Sequence, residues 1–451
     1  MTCAVLAGCS GGTGGTGSED PAPSPTESSP APTVDLPDTA AGRHAAWMVE
    51  QISAAPGSGL PDAEQRFNAA FLAEVPVDQL TAIVDQLRAV RPWRVESVES
   101  DATSVVARIA GTGEVLEMSL AVDADEAIAG LFFGAAPPER EPAADAGALL
   151  DEVDGIPGSS LLVARVVDGE CVPVEELTGG AAEGESLPIG SVVKLYVLGA
   201  VVDAVESGAL AWGTELTVTD ELKSLPSGTL QDEPAGTTVP VEDAATAMIE
   251  ISDNTATDLL IDAVGRDAVE QAMADMGHAD PAASTPLATT RELFHLGWGG
   301  GADLRERWHD ADEAGRRAIL ADLPPGPPAI DPTEMAEVPV WTSDVDWFAT
   351  GADLCAAHVA LAERAGTEAG APVRAILAAN PGMEVDADAW SYVGFKGGSS
   401  IGTMAGAWYA EPADGGDPVV VVLQSAAEDP RDTLDPATLA GVAQDALRLT
   451  D

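Results

Sequence analysis

Ser191-Val-Val-Lys-Leu-Tyr-Val-Leu-Gly-Ala-Val-Val-Asp-Ala-Val-Glu206 decides how this chain is read. The run is apolar on nearly every side until Asp203, and a helix that is hydrophobic all round belongs inside a domain. Its single early charge is Lys194. Three residues separate Ser191 from Lys194, which puts both side chains on one helix face, one turn apart. An ammonium in apolar surroundings is pushed toward its neutral form, and the positive helix N-terminus pushes the same way. A neutral amine there can take the serine proton, which is how such a nucleophile is activated. Ser-x-x-Lys is a short motif, however, and a serine ahead of an apolar run is often only an N-cap. Lysine usage tips the balance. The chain has three lysines, Lys194, Lys223 and Lys396, and arginine at its other basic positions. Arginine cannot be deprotonated, so a lysine kept inside an apolar helix points to chemistry.

Outward from this helix, periodicity predicts a helix at Ala146–Val153 and strands at Ser160–Val167 and near Val172–Leu177 on its N-terminal side. On the other side lie a polar stretch, Thr217–Val239, and a helix at Val241–Glu250. The trio Ser252-Asp253-Asn254 follows, then a helix at Ala256–Val264. The trio either caps that helix or turns a hydroxyl and an amide toward Ser191. Helices are expected at Asp267–Met276, Leu304–Leu323, Thr350–Ala365 and Ala371–Ala379, with the proline run at 324–328 as an irregular loop. The end is sheet-like, with strands at Tyr392–Lys396, Thr403–Ala410 and Pro418–Gln424 before a helix at Pro436–Arg448. Strands from both ends of the domain with a helical block between them give an α+β fold. In Phe395-Lys396-Gly397-Gly398-Ser399 a strand carries a lysine into glycines, where a ligand can approach the backbone.

The front of the chain is a separate body. Residues 39–135 read as three helices, Ala46–Ala55, Pro61–Val75 and Val77–Val90. Strands follow at Arg94–Val98, Ser104–Ile109, Val115–Val122 and Ala127–Phe133, making a small α+β domain with no catalytic cluster. Residues 136–145 read as a linker, leaving 146–451 as the second domain. Residues 10–38, rich in Gly, Ser, Thr, Pro and acids, read as a mobile tether. Leu6-Ala7-Gly8-Cys9 resembles a bacterial lipobox, so Cys9 is expected to carry lipid and hold the protein on the outer face of the membrane. The segment before Cys9 is short and lacks Lys and Arg, so the true start is expected further upstream. Cys171 and Cys355 either pair in an oxidising envelope or stay as buried thiols.

A net charge of −54 excludes nucleic acid and anionic lipid as partners. With 45% hydrophobic residues the body is folded and not a disordered acidic polymer. No later run of ~20 apolar residues would span a bilayer. The histidines, His44, His278, His295, His309 and His358, show no ligand spacing, so no metal is expected. The glycines at 11–16 precede no helix or Lys-Ser pair and form no phosphate loop; no cofactor is expected. Gly398-Ser-Ser-Ile-Gly402 fits the nucleophile elbow of α/β-hydrolases, but that site needs a helix next and a histidine downstream, and none follows His358.

Ser-x-x-Lys at 191–194, Ser-Asp-Asn at 252–254 and Lys-Gly-Gly at 396–398 together resemble the penicillin-recognising serine hydrolases, class A β-lactamases most closely, over roughly 146–451. The resemblance implies a β-lactamase/DD-peptidase-like fold, an antiparallel sheet with a helical subdomain. It implies Ser191 as the acylated nucleophile, Lys194 as its proton partner, Ser252 as relay to the leaving group and Asn254 as a substrate contact. Lys396 would face the substrate's carboxylate, beside Phe395, Gly397 and Gly398. The N–H groups of Ser191 and Ser399 would hold the oxyanion. The substrate would be a small β-lactam, ester or peptidoglycan-derived peptide.

Two departures stand out. Class A enzymes carry a deacylating glutamate in the interval before a Thr-Pro segment; here, between Asn254 and Thr285, only Glu270 stands, inside a helical pattern. Gly397 replaces the usual Thr or Ser. Acylation with weak or no β-lactam turnover is therefore expected, and a non-catalytic peptidoglycan- or β-lactam-binding lipoprotein is the rival. A helix-then-sheet domain ahead of such a body also resembles the Cpe/LpqF-type actinobacterial lipoproteins, whose front domain is steroid-isomerase-like. Thr289-Thr-Arg-Glu-Leu-Phe294 and Asp346-Trp-Phe-Ala-Thr-Gly-Ala-Asp-Leu-Cys355 add to that resemblance.

Overall fold

A computed structural model describes residues 34–100, 103–124, 126–136 and 140–450. Cys9, the expected lipidation site, and most of the expected tether lie outside these residues. The chain divides into two compact units, the first ending at Pro138.

The first unit opens with helices α1 (Ala40–Ser53), α2 (Ala63–Arg66), α3 (Ala69–Glu74) and α4 (Val77–Leu87). The single helix expected over Pro61–Val75 is broken. Phe67 turns extended and bridges to Ile128, and the Asn68 side chain accepts from Phe71 N to cap α3. An Asn side chain that can serve the backbone competes with helix continuation, which residue periodicity does not register. Strands β1 (Arg94–Ser100), β2 (Ser104–Ala110), β3 (Val115–Val122) and β4 (Ile128–Ala135) form an antiparallel meander in chain order. Val105, Ala107 and Ile109 alternate inward along β2 and pack with Trp47, Met48 and Ile52 of α1.

The second unit is built on a five-stranded antiparallel sheet. Its elements are α5 (Ala146–Asp154), β5 (Ser159–Val167), β6 (Glu170–Pro173), β7 (Leu187–Pro188), α6 (Lys194–Glu206), β8 (Glu215–Thr217), β9 (Thr238–Pro240) and α7 (Val241–Glu250). Then come α8 (Asn254–Val264), α9 (Arg266–Asp275), α10 (Thr290–Phe294), α11 (Gly301–His309), α12 (Glu313–Ala321), α13 (Pro332–Glu337), β10 (Phe348–Ala349) and α14 (Gly351–Ala365). The remainder is α15 (Val373–Ala378), β11 (Trp390–Ser400), β12 (Thr403–Pro412), β13 (Val419–Ala426) and α16 (Pro436–Arg448). The sheet order is β11-β12-β13-β5-β6, so strands from both ends of the unit are sewn together with the helical block between them in sequence. β13 is buried along its whole length, the mark of a central strand covered on both faces. α5 and α16 pack on one face and α6, α14 and the helical block on the other.

α6 is the axis of the larger core. Lys194 through Val202 are all buried, and its apolar side chains each add about 1.5–3 kcal/mol by leaving water. Gly199 lets α9 close in: a Cβ there would lie 2.2 Å from the Met276 sulfur.

Three expectations are corrected. The helix expected at Leu304–Leu323 is two, α11 and α12, because Asp312 caps a new start by accepting from Gly315 N. The strand expected near Val172–Leu177 stops at Pro173 and gives way to a 3-10 turn at Glu175–Leu177. Residues 140–145 are not free linker. Arg140 pairs with Glu152 at 2.7 Å and with Asp445 at 2.6 Å, and Ala143 N donates to Asp445, tying the segment onto α16. Of the two readings of the cysteines, pairing holds: Cys171 on β6 is bonded to Cys355 on α14, with Cα atoms 6.4 Å apart.

Candidate active site

Ser191 lies in a 3-10 turn, Gly190–Val193, that runs directly into α6. The turn is held from three sides. Ile189 N donates to Trp347 O at 2.8 Å, Gly190 N donates to the Asp346 carboxylate at 2.9 Å, and Gly398 lies flat against it. A Cβ on Gly398 would come within 2.0 Å of Ile189 O and 2.7 Å of Ser191 N, so only glycine lets the strand approach this closely. Gly190 itself has φ +48°, and a Cβ there would meet Ser399 N at 2.9 Å. The backbone N–H groups of Ser191 and Ser399 are therefore neighbours because two glycines remove the side chains between them.

Lys194 is fully buried beneath the turn. Its Nζ donates to Ser252 O at 2.7 Å, Ser252 Oγ at 3.0 Å and Asn254 Oδ1 at 2.8 Å. Burial pushes this amine well below the ordinary lysine range, the positive charge of Lys396 adds to the push, and Asp253 and Asp258 oppose it. Lys396, on β11, donates to the same Ser252 Oγ at 3.1 Å and to Gly397 O at 2.7 Å. Burial brings it down to about 7. Ser252 has φ +56°, an uncommon conformation for a residue with a side chain, and is held there by bonds to its carbonyl from Lys194 Nζ and from Ser227 Oγ at 2.8 Å.

Both readings of the Ser-Asp-Asn trio apply, to different members. Asp253 is the cap: Oδ1 accepts from Ala256 N at 2.7 Å, and Oδ2 accepts from Thr229 N and Leu230 N, fixing the polar loop before α7. Ser252 and Asn254 face the lysines. Asn254 Nδ2 also donates to Leu225 O at 3.0 Å, which fixes Oδ1 toward Lys194.

A cavity of about 670 Å³ opens here, lined by Ser191, Ser252, Asn254, Gly397, Gly398 and Ser399. Phe395 also lines it, stacked on Trp408 at 4.8 Å between ring centres. Thus the expected residues 191, 252, 254, 395 and 397–399 border one cavity, and the two amines meet at Ser252 just beneath it. Among the described residues no group of three or more His, Cys, Asp and Glu side chains is arranged to hold a metal.

Asp346 was not singled out for the site from sequence. It arrives with β10, which pairs with β7 immediately before the nucleophile turn. The strand beside Ser191 comes well after Thr285, and Ser284 serves it by accepting from Phe348 N at 2.9 Å. Asp346 Oδ1 accepts from Gly190 N and Trp347 N, while Oδ2 is buried without a partner. Burial raises this carboxyl to about 7 against the pull of the Gly190, Trp347 and Ile189 N–H groups. Glu270 is structural: it accepts from Leu287 N and pairs with Arg317 at 2.7 Å.

Residues 176–315 match the family model of the beta-lactamase enzyme family. The second unit has a β-lactamase-like α+β fold. Residues 36–128 match a second family model, the ORF 12 gene product N-terminal domain. Among solved structures, the beta-lactamase of Sphaerobacter thermophilus is 22% identical, with a TM-score of 0.47, covering 68% of this chain and 97% of that one. PBP-A is 17% identical with a TM-score of 0.40, covering 70% and 97%. A beta-lactamase of Chitinophaga pinensis is 16% identical with a TM-score of 0.43, covering 68% and 96%. No protein of curated function matches the chain significantly.

Proposed function

We propose that the second unit is a serine hydrolase that works through an acyl-enzyme on Ser191. One observation carries this reading: Lys194 and Lys396, two of the chain's three lysines, converge on Ser252 Oγ at the edge of the cavity that Ser191 enters. In acylation, Ser191 Oγ attacks the substrate carbonyl carbon and its proton passes to neutral Lys194 Nζ. The oxyanion is received by Ser191 N and Ser399 N, donors of a kind that contribute about 3 kcal/mol each in other hydrolases. As the carbon–heteroatom bond breaks, the leaving group takes the Ser252 hydroxyl proton, which Lys194 replaces. Water then adds to the acyl carbon and releases Ser191 and a carboxylic acid.

No glutamate is among the described residues that line the cavity, and its sole carboxyl is that of Asp346. This supports slow deacylation and weak or absent β-lactam turnover. It also favours one second reading, a protein that binds or captures a β-lactam or peptidoglycan fragment without releasing product. Incubation with a fluorophosphonate, a chromogenic cephalosporin and a simple ester, followed by intact-mass analysis, separates the two. Turnover with a transient adduct on Ser191 supports the hydrolase. A permanent adduct supports capture, and an unreactive Ser191 ends the covalent reading.

The Cys171–Cys355 disulfide supports an oxidising compartment, consistent with export and lipidation at Cys9. Mass analysis of the mature N-terminus tests this. The four-helix and meander front unit is proposed to be of the steroid-isomerase-like kind found ahead of the Cpe/LpqF-type lipoproteins.

A further inference from the structure

We propose that the cleft takes uncharged esters with apolar groups on both sides of the scissile bond, and rejects substrates that carry a free carboxylate. This rests on Ser191 being the acylated residue. The cavity that Ser191 enters has two groups of apolar residues in its lining. One comes from the helical block, with Phe294, Trp298 and Trp347; the other comes from the sheet and α16, with Phe395, Met404 and Leu439. All six are at least half buried and line the same cavity, so it offers hydrocarbon from the helical block and from the sheet and α16 to a substrate held on Ser191.

No arginine or lysine is among the described residues lining the cavity. The two nearby amines are already engaged below the floor. Lys194 is fully buried and its Nζ is already bonded to Ser252 O, Ser252 Oγ and Asn254 Oδ1. Lys396 is 3% exposed, is not among the residues lining the cavity, and gives two bonds to Ser252 Oγ and Gly397 O, so it is poorly placed to meet an anion there. Gly397 offers no hydroxyl beside it. The cavity's one carboxyl, Asp346, can only repel an anion once ionised. A substrate carboxylate brought here would lose its water and find no charged partner, which is strongly unfavourable. Ser227 and Thr290 spend their hydroxyl protons on Ser252 O and on the Ser224, Asn254 and Asp258 oxygens, which leaves the Ser399 and Ser400 hydroxyls for ester and amide oxygens.

The test uses two substrates of one shape, p-nitrophenyl hexanoate and the p-nitrophenyl monoester of adipic acid, which differ by a terminal carboxylate. With the full chain, kcat/KM for the hexanoate is expected to exceed that for the adipate by about 30-fold or more, the scale set by a desolvated, unpaired charge. The ratio is to be measured at low salt and at 0.5 M NaCl, roughly where screening removes the long-range repulsion from a body of net charge −54. A ratio that persists belongs to the cleft. A ratio that collapses to unity in salt, or equal rates at low salt, overturns the proposal. Ile401→Arg, in the turn between β11 and β12 that lines the cavity, is expected to narrow the ratio about tenfold by supplying the missing cation. Fluorophosphonate labelling of Ser191 is run alongside. If Ser191 labels but the esters are not discriminated, this inference alone fails; if Ser191 does not label, the hydrolase reading fails with it.

Discussion

Lys194 and Lys396 donate to one and the same hydroxyl oxygen, from 3.0 and 3.1 Å. Two ammonium groups cannot comfortably share one neutral acceptor in a buried site, so the pair holds fewer than two protons near neutral pH and titrates as a unit. The form that can accept the Ser191 proton is the deprotonated one. Acylation of Ser191 by a fluorophosphonate is therefore expected to rise with pH as the pair loses protons, and to level off once Lys194 is neutral, well below the ordinary lysine range. A rate that is flat, or that falls, as pH rises would remove the lysine pair from the proton path.

Replacing Lys194 by Met keeps the apolar volume of the stem and deletes the amine. Ser191 labelling and ester turnover are expected to drop by about 10²–10⁴-fold, the range for loss of a positioned general base. The fold should persist, because Met fills the space of the lysine stem and Asp253 and Asp258 keep their own hydrogen-bond donors; circular dichroism and labelling rates measured together check both parts.

Gly398→Ala separates approach from stability. Its Cβ would meet Ile189 O at 2.0 Å and Ser191 N at 2.7 Å, so β11 must retreat from the nucleophile turn. A shift of about 1 Å at reacting atoms costs about 100-fold in rate. Normal labelling in a folded Gly398→Ala protein would show that Ser399 N takes no part.

Asp346 predicts a pH-dependent stability. Its folded value of about 7 stands above the ordinary 3.8, so between these values the folded chain holds a proton that the unfolded chain has released. Stability from this group is full below 3.8, declines as pH rises toward 7 and stays low above it, by at most about 4 kcal/mol. Asn at 346 does not ionise. The stability of Asp346→Asn relative to the wild type, from urea unfolding, is expected to improve from pH 4 to pH 7 and then hold constant; a difference that does not change with pH would contradict the raised value.

The Cys171–Cys355 bond closes a loop of 184 residues. Chain-entropy reasoning assigns such a link up to about 5 kcal/mol. Reductant is expected to lower the melting temperature of the wild type and to leave the Cys171→Ala/Cys355→Ala double variant unmoved. Equal sensitivity in both would show that the reductant acts elsewhere.

What was readable from sequence was whatever rests on periodicity and local chemistry. α6 announces itself because its residues are apolar on all sides, and β11 because a strand pattern ends in glycines. Ser252 and Asn254 were legible through their spacing from Ser191. Asp346 was not, since nothing local distinguishes it from the chain's many other acids; only the pairing of β10 with β7 brings it to Gly190. The breaks at Asn68 and Asp312 were missed because a single side chain that caps a new helix outweighs a continuing apolar stripe. The cysteine pairing was open until β6 and α14 were seen side by side.

The order of the sheet has a consequence for biosynthesis. β5 emerges early, yet its partner β13 is among the last segments translated, and Lys396 and Ser399 arrive on β11 only shortly before it. A nascent chain that stops before β11 holds Ser191 without Lys396 or Ser399 beside it. On the proposed mechanism, reactivity would be withheld until β11 is made, when translation is nearly complete.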